Sequence, residues 1–398
     1  MGRSWVSRLI GSVALLCASA TAAQAQVHID VVASSVRDGI NVPYLSQQMG
    51  IAEDGAIAFG AHTPLGQNRL LLAEPGRAVL DLNLSARAGS DVGINDDSVV
   101  FVSGAEVLAF PRSRRGTPVV LHDCTVSSTP CGGTRHVGLS SDGHVVVTAF
   151  DSIGGIYRGR VAKGRIARAL TAAPVPAGFI SALGVDVGAG GPFLLLGDHS
   201  AQSAEVYGAF SATKSLYRTE VSTRPQGGSE APLSAVYGGR DVFALLPAQT
   251  NGSGATLAAP ALVSGLAQSY GSLQVQGTPL LTLGCVGGAQ CPSVGSMDVN
   301  DFGVAAVVAQ LTSGWTGLFA FDTTNTSSPP VLLTQLNAQL GKCVDRPVQL
   351  HVLGTNNSGQ VAVLARVQWR KGTDTQVWRL TPTGTKPRTT SHCLSELF

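Results

Sequence analysis

Charge is what this 398-residue chain has least of. Asp, Glu, Lys and Arg make up 13% of it, about half the usual share, and only five of its 27 basic residues are lysines. Aromatic residues are also few, at 6%. Hydrophobic residues reach 44%, so the low charge does not mean disorder, which needs low hydrophobicity and high charge together. The missing basic excess argues against a nucleic-acid partner. Long apolar runs are absent after residue 26, where glycine and polar residues interrupt every segment. No transmembrane segment is expected there, since a span needs about 20 residues. No amphipathic helical run of useful length stands out either. What is abundant is glycine, with 48 residues, and that much glycine weakens helices.

The first 25 residues read as an export signal. Arg3 and Arg8 give a positive start, Leu9 to Ala20 a short apolar run, and Ala23-Gln24-Ala25 a cleavage site with small residues. The run is too short for a membrane anchor. A lipoprotein reading through Cys17 is opposed by Leu16, where a small residue is required. The mature chain, 26–398, is then expected to be exported to the periplasm or the medium. It carries 25 basic and 25 acidic residues, so no net field steers a polyanion or a charged membrane to it.

Removing Cys17 leaves Cys124, Cys131, Cys285, Cys291, Cys343 and Cys393. An even number in an oxidising compartment predicts disulfides. Cys124 and Cys131 bracket TVSSTP, and Cys285 and Cys291 bracket VGGAQ. Each pair can close a small loop, with Cys343 and Cys393 left as a longer staple. A structural zinc site favours short C-x2-4-C knuckles, and none is present. No metal or other cofactor is expected.

Internal similarity carries the fold prediction. Seven segments pair an apolar residue and a turn with a β-rich run: IAEDGAIAF from Ile51, INDDSVVFV from Ile94, LSSDGHVVV from Leu139, VDVGAGGPFLLL from Val185, VYGGRDVFALL from Val236, VNDFGVAAVV from Val299 and TNNSGQVAVL from Thr355. The copies at Val185 and Val236 are degenerate. Asx before Gly favours a tight turn, and the run after it suits a buried strand. Further strands follow, such as NRLLLAE from Asn68 and PVVLHD from Pro118. Three or four strands per repeat is the size of a propeller blade. The fold expected is all-β, a single β-propeller domain of seven blades, with six or eight as alternatives and an open β-solenoid as the rival. VHIDVVASSV from Val27 reads as an extra strand that completes the short last repeat. Residues 248–278, uncharged and rich in Gly, Ser and Ala, read as a loop or a longer hairpin.

The stretch VNDFGVAAVVAQLTSGWTGLFAF, from Val299 to Phe321, resembles a bacterial tandem-repeat propeller family with I-N-D-x-G-x-V-A-F elements followed by a G-L-F strand. INDDSVVFV and NNSGQVAVLARV match it in part. The resemblance covers about residues 51–380. It implies a propeller fold and export, and no reaction.

Signatures of catalysis are absent from the sequence: no G-x-S-x-G elbow, no H-E-x-x-H helix, no P-loop. His122, His136 and His199 are candidate ligand contacts if the fold brings them to one face. Trp315, in the SGWTG turn, is a candidate for stacking on a sugar or a partner. The turn residues Asp96, Asp97, Asn300 and Asp301 lack calcium-loop spacing, and turn-making explains them. The expected function is a non-enzymatic binding or scaffold module for a protein or a neutral glycan. The alternative is an enzyme acting on polysaccharide.

Overall fold

The computed structural model describes residues 23–24, 27–41, 50–85, 91–112, 117–123, 135–149, 155–173, 181–191, 193–200, 203–209, 217–221, 234–238, 241–246, 249–250, 256–258, 261–263, 297–302, 304–310, 316–322, 331–335, 346–369 and 372–382. All six cysteines of the expected mature chain, and Trp315, lie outside the described residues.

The repeats fold into antiparallel sheets in which consecutive strands are neighbours. Sheet I contains Gly50–Ile51, Ile57–His62, Asn68–Ala73 and Leu80–Asp81. Sheet II contains Val92–Ile94, Ser98–Ser103, Glu106–Pro111 and Val119–Asp123. Sheet III contains Arg135–Leu139, His144–Ala149, Gly155–Ala162 and Arg165–Ala173. Sheet IV runs from Ser181–Val187 to Tyr217–Val221, and sheet V joins Ser234–Gly238, Asp241–Leu246 and Ala261–Val263. The third strand of sheet V comes from the segment 248–278, where Gln249–Thr250 also pairs with Thr256–Ala258. Sheet VI contains Met297–Val299, Val304–Gln310, Thr316–Asp322 and Val331–Gln335, with Ala23–Gln24 parallel to its last strand. Sheet VII contains Arg346–Thr355, Val361–Trp369 and Gly372–Pro382, and takes Val27–Ser34 from the start of the chain as its fourth strand. Four-stranded antiparallel sheets of this kind are the blades of β-propellers. The first strands of successive sheets lie against each other, and the first strand of sheet VII lies against that of sheet I.

The β-rich runs are apolar at consecutive positions because both of their faces are covered. Val99 and Phe101 pack towards sheet I, against Ala58, Leu70 and Leu72. Val100 and Val102 point the other way, to Val137, Val145 and Val147 of sheet III. In sheet VII, Val361, Val363 and Ala365 pack with Ala306 and Val308 of sheet VI, while Ala362 and Leu364 pack with Phe59 and Leu71 of sheet I. The period of two along each strand thus feeds two different cores. Fully burying a side chain such as Phe101 stabilises by about 1.5–3 kcal/mol.

The first strands approach too closely for side chains at one position. A Cβ on Gly93 would stand 2.7 Å from Leu139 Cβ, and one on Gly138 would stand 2.5 Å from Val187 Cγ2. Glycine therefore precedes the apolar residue of the repeat where one first strand abuts the next. This contact also places the fourth repeat. Val187 takes the position of Ile94 and Leu139, two residues beyond the Val185 start read from sequence. Its turn is closed by Gly191 N donating to Gly188 O, as Gly143 N donates to Ser140 O in sheet III.

Candidate functional site

The turns between first and second strands gather at one end of the ring of first strands. In each described copy the residue after the apolar position begins the turn. Asn95, Asn300 and Asn356 occupy it in sheets II, VI and VII, and all three are buried. Their Oδ1 atoms accept from backbone N–H groups of the same turn, from Ser98 at 2.8 Å, Val304 at 2.9 Å and Gln360 at 2.9 Å. Their Nδ2 atoms donate to the matching carbonyl of a neighbouring sheet: Asn95 to Ser140 O at 3.1 Å, Asn300 to Asn356 O at 3.0 Å and Asn356 to Ala52 O at 2.9 Å. Turn-making was the whole role expected of Asn300. The structure adds a strut between sheets, which requires an amide and not a carboxylate.

The next position carries the polar groups of the mouth. Glu53 accepts from Asn357 N at 2.9 Å. Asp301 accepts from Asn357 Nδ2 at 3.0 Å and from Ser141 Oγ at 3.3 Å. Asp96 accepts from Asp54 N at 3.0 Å. Arg112, reaching in from sheet II with a buried side chain, pairs with Asp54 at 2.7 Å and Glu74 at 3.6 Å. Burial, and then the charges of Asp301 and Asp96, push the Glu53 carboxyl up against the hydrogen bond from Asn357 N. Phe302, in the same row of turns, is 68% exposed. Among the described residues no group of three His, Cys, Asp or Glu is placed to hold a metal ion.

Asp298 departs from the glycine of the repeat. It sits one residue before Val299, where sheets I, II and III carry Gly50, Gly93 and Gly138 and sheet IV carries Asp186. Its Oδ2 accepts from both N and Oγ1 of Thr355 in sheet VII. Burial is the main cause that raises its pKa from the ordinary 3.8 to about 6, against the Thr355 bonds. A carboxyl raised in this way holds more protons folded than unfolded, so it lowers stability as pH climbs from 3.8 to about 6. Asparagine keeps one oxygen for both Thr355 donors and removes the charge. Asp298→Asn is therefore expected to be more stable than wild type by up to about 3 kcal/mol above pH 6 and to lose that decline. Urea unfolding at pH 4 and pH 7.5 checks both; equal stabilities at pH 7.5 would show that ionised Asp298 costs nothing.

Of the histidines chosen from sequence, His122 and His136 lie on different sheets with different partners. His122 lies on the last strand of sheet II, with its ring 4.2 Å from that of Tyr157. His136 lies on the first strand of sheet III and is buried, with Nδ1 2.9 Å from Asp91 Oδ2. Asp91 is fully buried and also accepts from Val137 N at 3.2 Å; burial is the chief cause that raises its pKa. This pair ties the start of sheet II to sheet III. His199 is on the second strand of sheet IV, with its side chain outside the described residues. Glu53, Asp298 and Phe302 were not singled out from sequence. Asp298 carried a signal, since it replaces a glycine of the repeat.

No protein family and no curated protein matches this sequence. Solved structures similar to the chain include a gluconolactonase from Xanthomonas campestris, 14% identical over 72% of this chain and 82% of that one, with a TM-score of 0.38. The β-propeller domain of the Trilobed protease from Pyrococcus furiosus is 8% identical over 83% of this chain and 96% of that one, TM-score 0.42. TolB from Acinetobacter baumannii is 11% identical over 83% and 78%, TM-score 0.35. The neighbours are diverse β-propellers, and the fold assignment of this chain rests on its own sheet order.

Proposed function

We propose that the chain is an exported seven-bladed β-propeller that binds a protein or a neutral glycan with its turn face and catalyses no reaction. The blade count rests on the seven sheets whose first strands abut in sequence from sheet I to sheet VII. One observation carries the functional reading. Asn300 Nδ2 donates to the Asn356 carbonyl, and Asn357 joins Asp301 through both its side-chain oxygen and its side-chain nitrogen, so the turn is tied down between sheets while Phe302 beside it stands 68% exposed. An aromatic held out on a rigid rim is suited to stacking on a partner.

The alternative is a polysaccharide-acting enzyme, for which Asp298 at the turn end of sheet VI, its carboxyl raised by burial, is the acid to test. Thermal unfolding of the mature protein with a panel of neutral glycans tests the first reading. A ligand at 100 times its Kd adds about 2.7 kcal/mol of stability, and Phe302→Ala is expected to abolish that shift. Release of reducing ends by the wild type, lost in Asp298→Asn, would replace the binding module with the enzyme.

A further inference from the structure

Sheet VII takes its outermost strand from the start of the chain, and its first strand lies against those of sheet VI and sheet I. It is the sheet that joins the two ends. Its first turn is held from both sides by carboxyl groups of those neighbours. From sheet VI, Asp298 Oδ2 accepts from Thr355 N and, at 2.8 Å, from Thr355 Oγ1. Asp301 Oδ2 accepts from Asn357 Nδ2 at 3.0 Å, and Asp301 N donates to Asn357 Oδ1 at 3.0 Å. From sheet I, Glu53 Oε2 accepts from Asn357 N at 2.9 Å. Two backbone N–H groups of one turn, Thr355 and Asn357, thus donate to carboxyls of two different sheets.

Nothing in this bonding demands an acid. An amide oxygen accepts the same donations without titrating, as that of Asn95 does from Ser98 N at 2.8 Å in sheet II. The carboxyls also face one another. The charge of Asp301 bears on both Glu53 and Asp298, and that of Asp96 on Glu53. The cations of the surrounding elements are engaged elsewhere. Arg112 of sheet II pairs with Asp54 at 2.7 Å and stands 4.0 Å from Asp96, while Arg379 of sheet VII pairs with Asp30. Among the described residues no cation forms an ion pair with Glu53, Asp298 or Asp301.

We propose that the first turn of sheet VII is a pH-operated clasp on the sheet that joins the chain ends, shut in acid and released more readily towards neutrality. Linkage sets the direction. Burial raises both the Glu53 and the Asp298 carboxyls, Asp298 from 3.8 to about 6. The clasped turn therefore binds more protons than a released one, in which water reaches both groups. Release is opposed in acid and gains as pH climbs from 3.8 to about 6. Each unit of pKa difference is tenfold in that equilibrium, so Asp298 alone changes it by about a hundredfold. Glu53 acts in the same direction.

The effect carries to the face that bears Phe302. Asn300 Nδ2 donates to Asn356 O at 3.0 Å, and Asp301 ties the turn of sheet VI to that of sheet VII. Asp301 also accepts from Ser141 Oγ of sheet III at 3.3 Å and from Ala189 N of sheet IV at 3.5 Å, so the clasp reaches across the ring. It does not require Phe302 to contact a ligand.

Hydrogen–deuterium exchange of the full mature protein, read by mass spectrometry, tests this directly, because the amides of Thr355 and Asn357 are themselves the donors. Rates at pH 4 and pH 7.5 are each divided by the intrinsic rate at that pH. Protection of Thr355 is expected to fall about a hundredfold between the two, that of Asn357 to fall with it, and that of Ser98 to change far less. Asp298→Asn should keep Thr355 protected at pH 7.5, and Glu53→Gln should do the same for Asn357. An equal fall at Ser98 would mean that the whole molecule loses stability and that there is no clasp. Constant protection of Thr355 and Asn357 in the wild type overturns the proposal, as does a pH dependence that survives when both substitutions are combined. The comparison of Thr355 with Ser98 needs only the wild type, so it holds even where a variant fails to fold. Phe302→Ala should leave these rates unchanged, which separates the clasp from the binding proposed above.

Discussion

A chain that begins at Gly39 is expected to lose the cooperative unfolding of the full protein, and to regain it when a peptide spanning 27–38 is added. The strand Val27–Ser34 is the outermost of sheet VII, though it is the first of the expected mature chain. An irregularity in its pairing between Val31 and Ala33 turns these two residues to different cores. Val31 packs with Trp378 on the side of sheet VI, and Ala33 with Ile57 and Phe59 on the side of sheet I. The polar side of the junction is as demanding. Asp374, buried, accepts from Ser34 Oγ at 2.7 Å, Ser35 Oγ at 2.7 Å and Val36 N at 3.1 Å. Arg379 pairs with Asp30 and donates to Gly55 O at 2.8 Å. Truncation leaves the Asp374 carboxylate without those three donors and Arg379 without its partner. One broken buried charge pair costs about 3–5 kcal/mol, a large share of a typical total of 5–15 kcal/mol, and the apolar loss adds to it. The measurement is urea unfolding followed by Trp fluorescence, with and without peptide. A truncated chain with an unchanged midpoint would show that the ends do not lock the ring.

That junction was legible because an orphan β-rich run preceded the first repeat and the last repeat was one strand short. The turns were legible for a local reason too, since Asp or Asn before Gly is a signal inside four residues. Where that signal is missing the register slipped: the Gly188–Gly191 turn has no Asx residue, and the fourth repeat was placed two residues early. What the sequence hid were partners in the next repeat. Gly93 and Gly138 looked like spare glycines until Leu139 and Val187 were seen against them. Asp91 and His136 are 45 positions apart, with nothing local to join them. The arginine row of sheet III, with Arg160 opposite Arg168, depends on a register broken twice, which the residue pattern does not announce. For the same reason a chain with a formal net charge of only +2 conceals a run of basic side chains on one hairpin.

Asn356 shows how far one amide can decide ring stability. Its Nδ2 donates to Ala52 O at 2.9 Å and Gln360 Oε1 at 2.9 Å, and its Oδ1 accepts from Gln360 N at 2.9 Å. The residue is 2% exposed and bridges sheet VII to sheet I. Asn356→Asp changes almost no volume. It removes both donations and turns a carboxylate oxygen towards two acceptors. Turning the Gln360 amide relieves only one of the two, since Thr381 Oγ1, now an acceptor at 3.2 Å, can donate instead, and the Ala52 carbonyl still faces the carboxylate. An uncompensated buried charge of this kind is expected to cost about 3–5 kcal/mol at pH 7.5. The sign of the pH dependence follows. The new carboxyl has a folded pKa above its unfolded value, so folding takes up a proton between the two. The penalty is absent below the unfolded pKa of about 3.9 and grows as pH rises to the folded one. Asn356→Asp should therefore approach the wild type in urea midpoint at pH 4 and fall well below it at pH 7.5. A uniform loss at both pH values would mean that shape, not charge, is what the site rejects. No loss at either would mean that the amide donates nothing across the blade boundary.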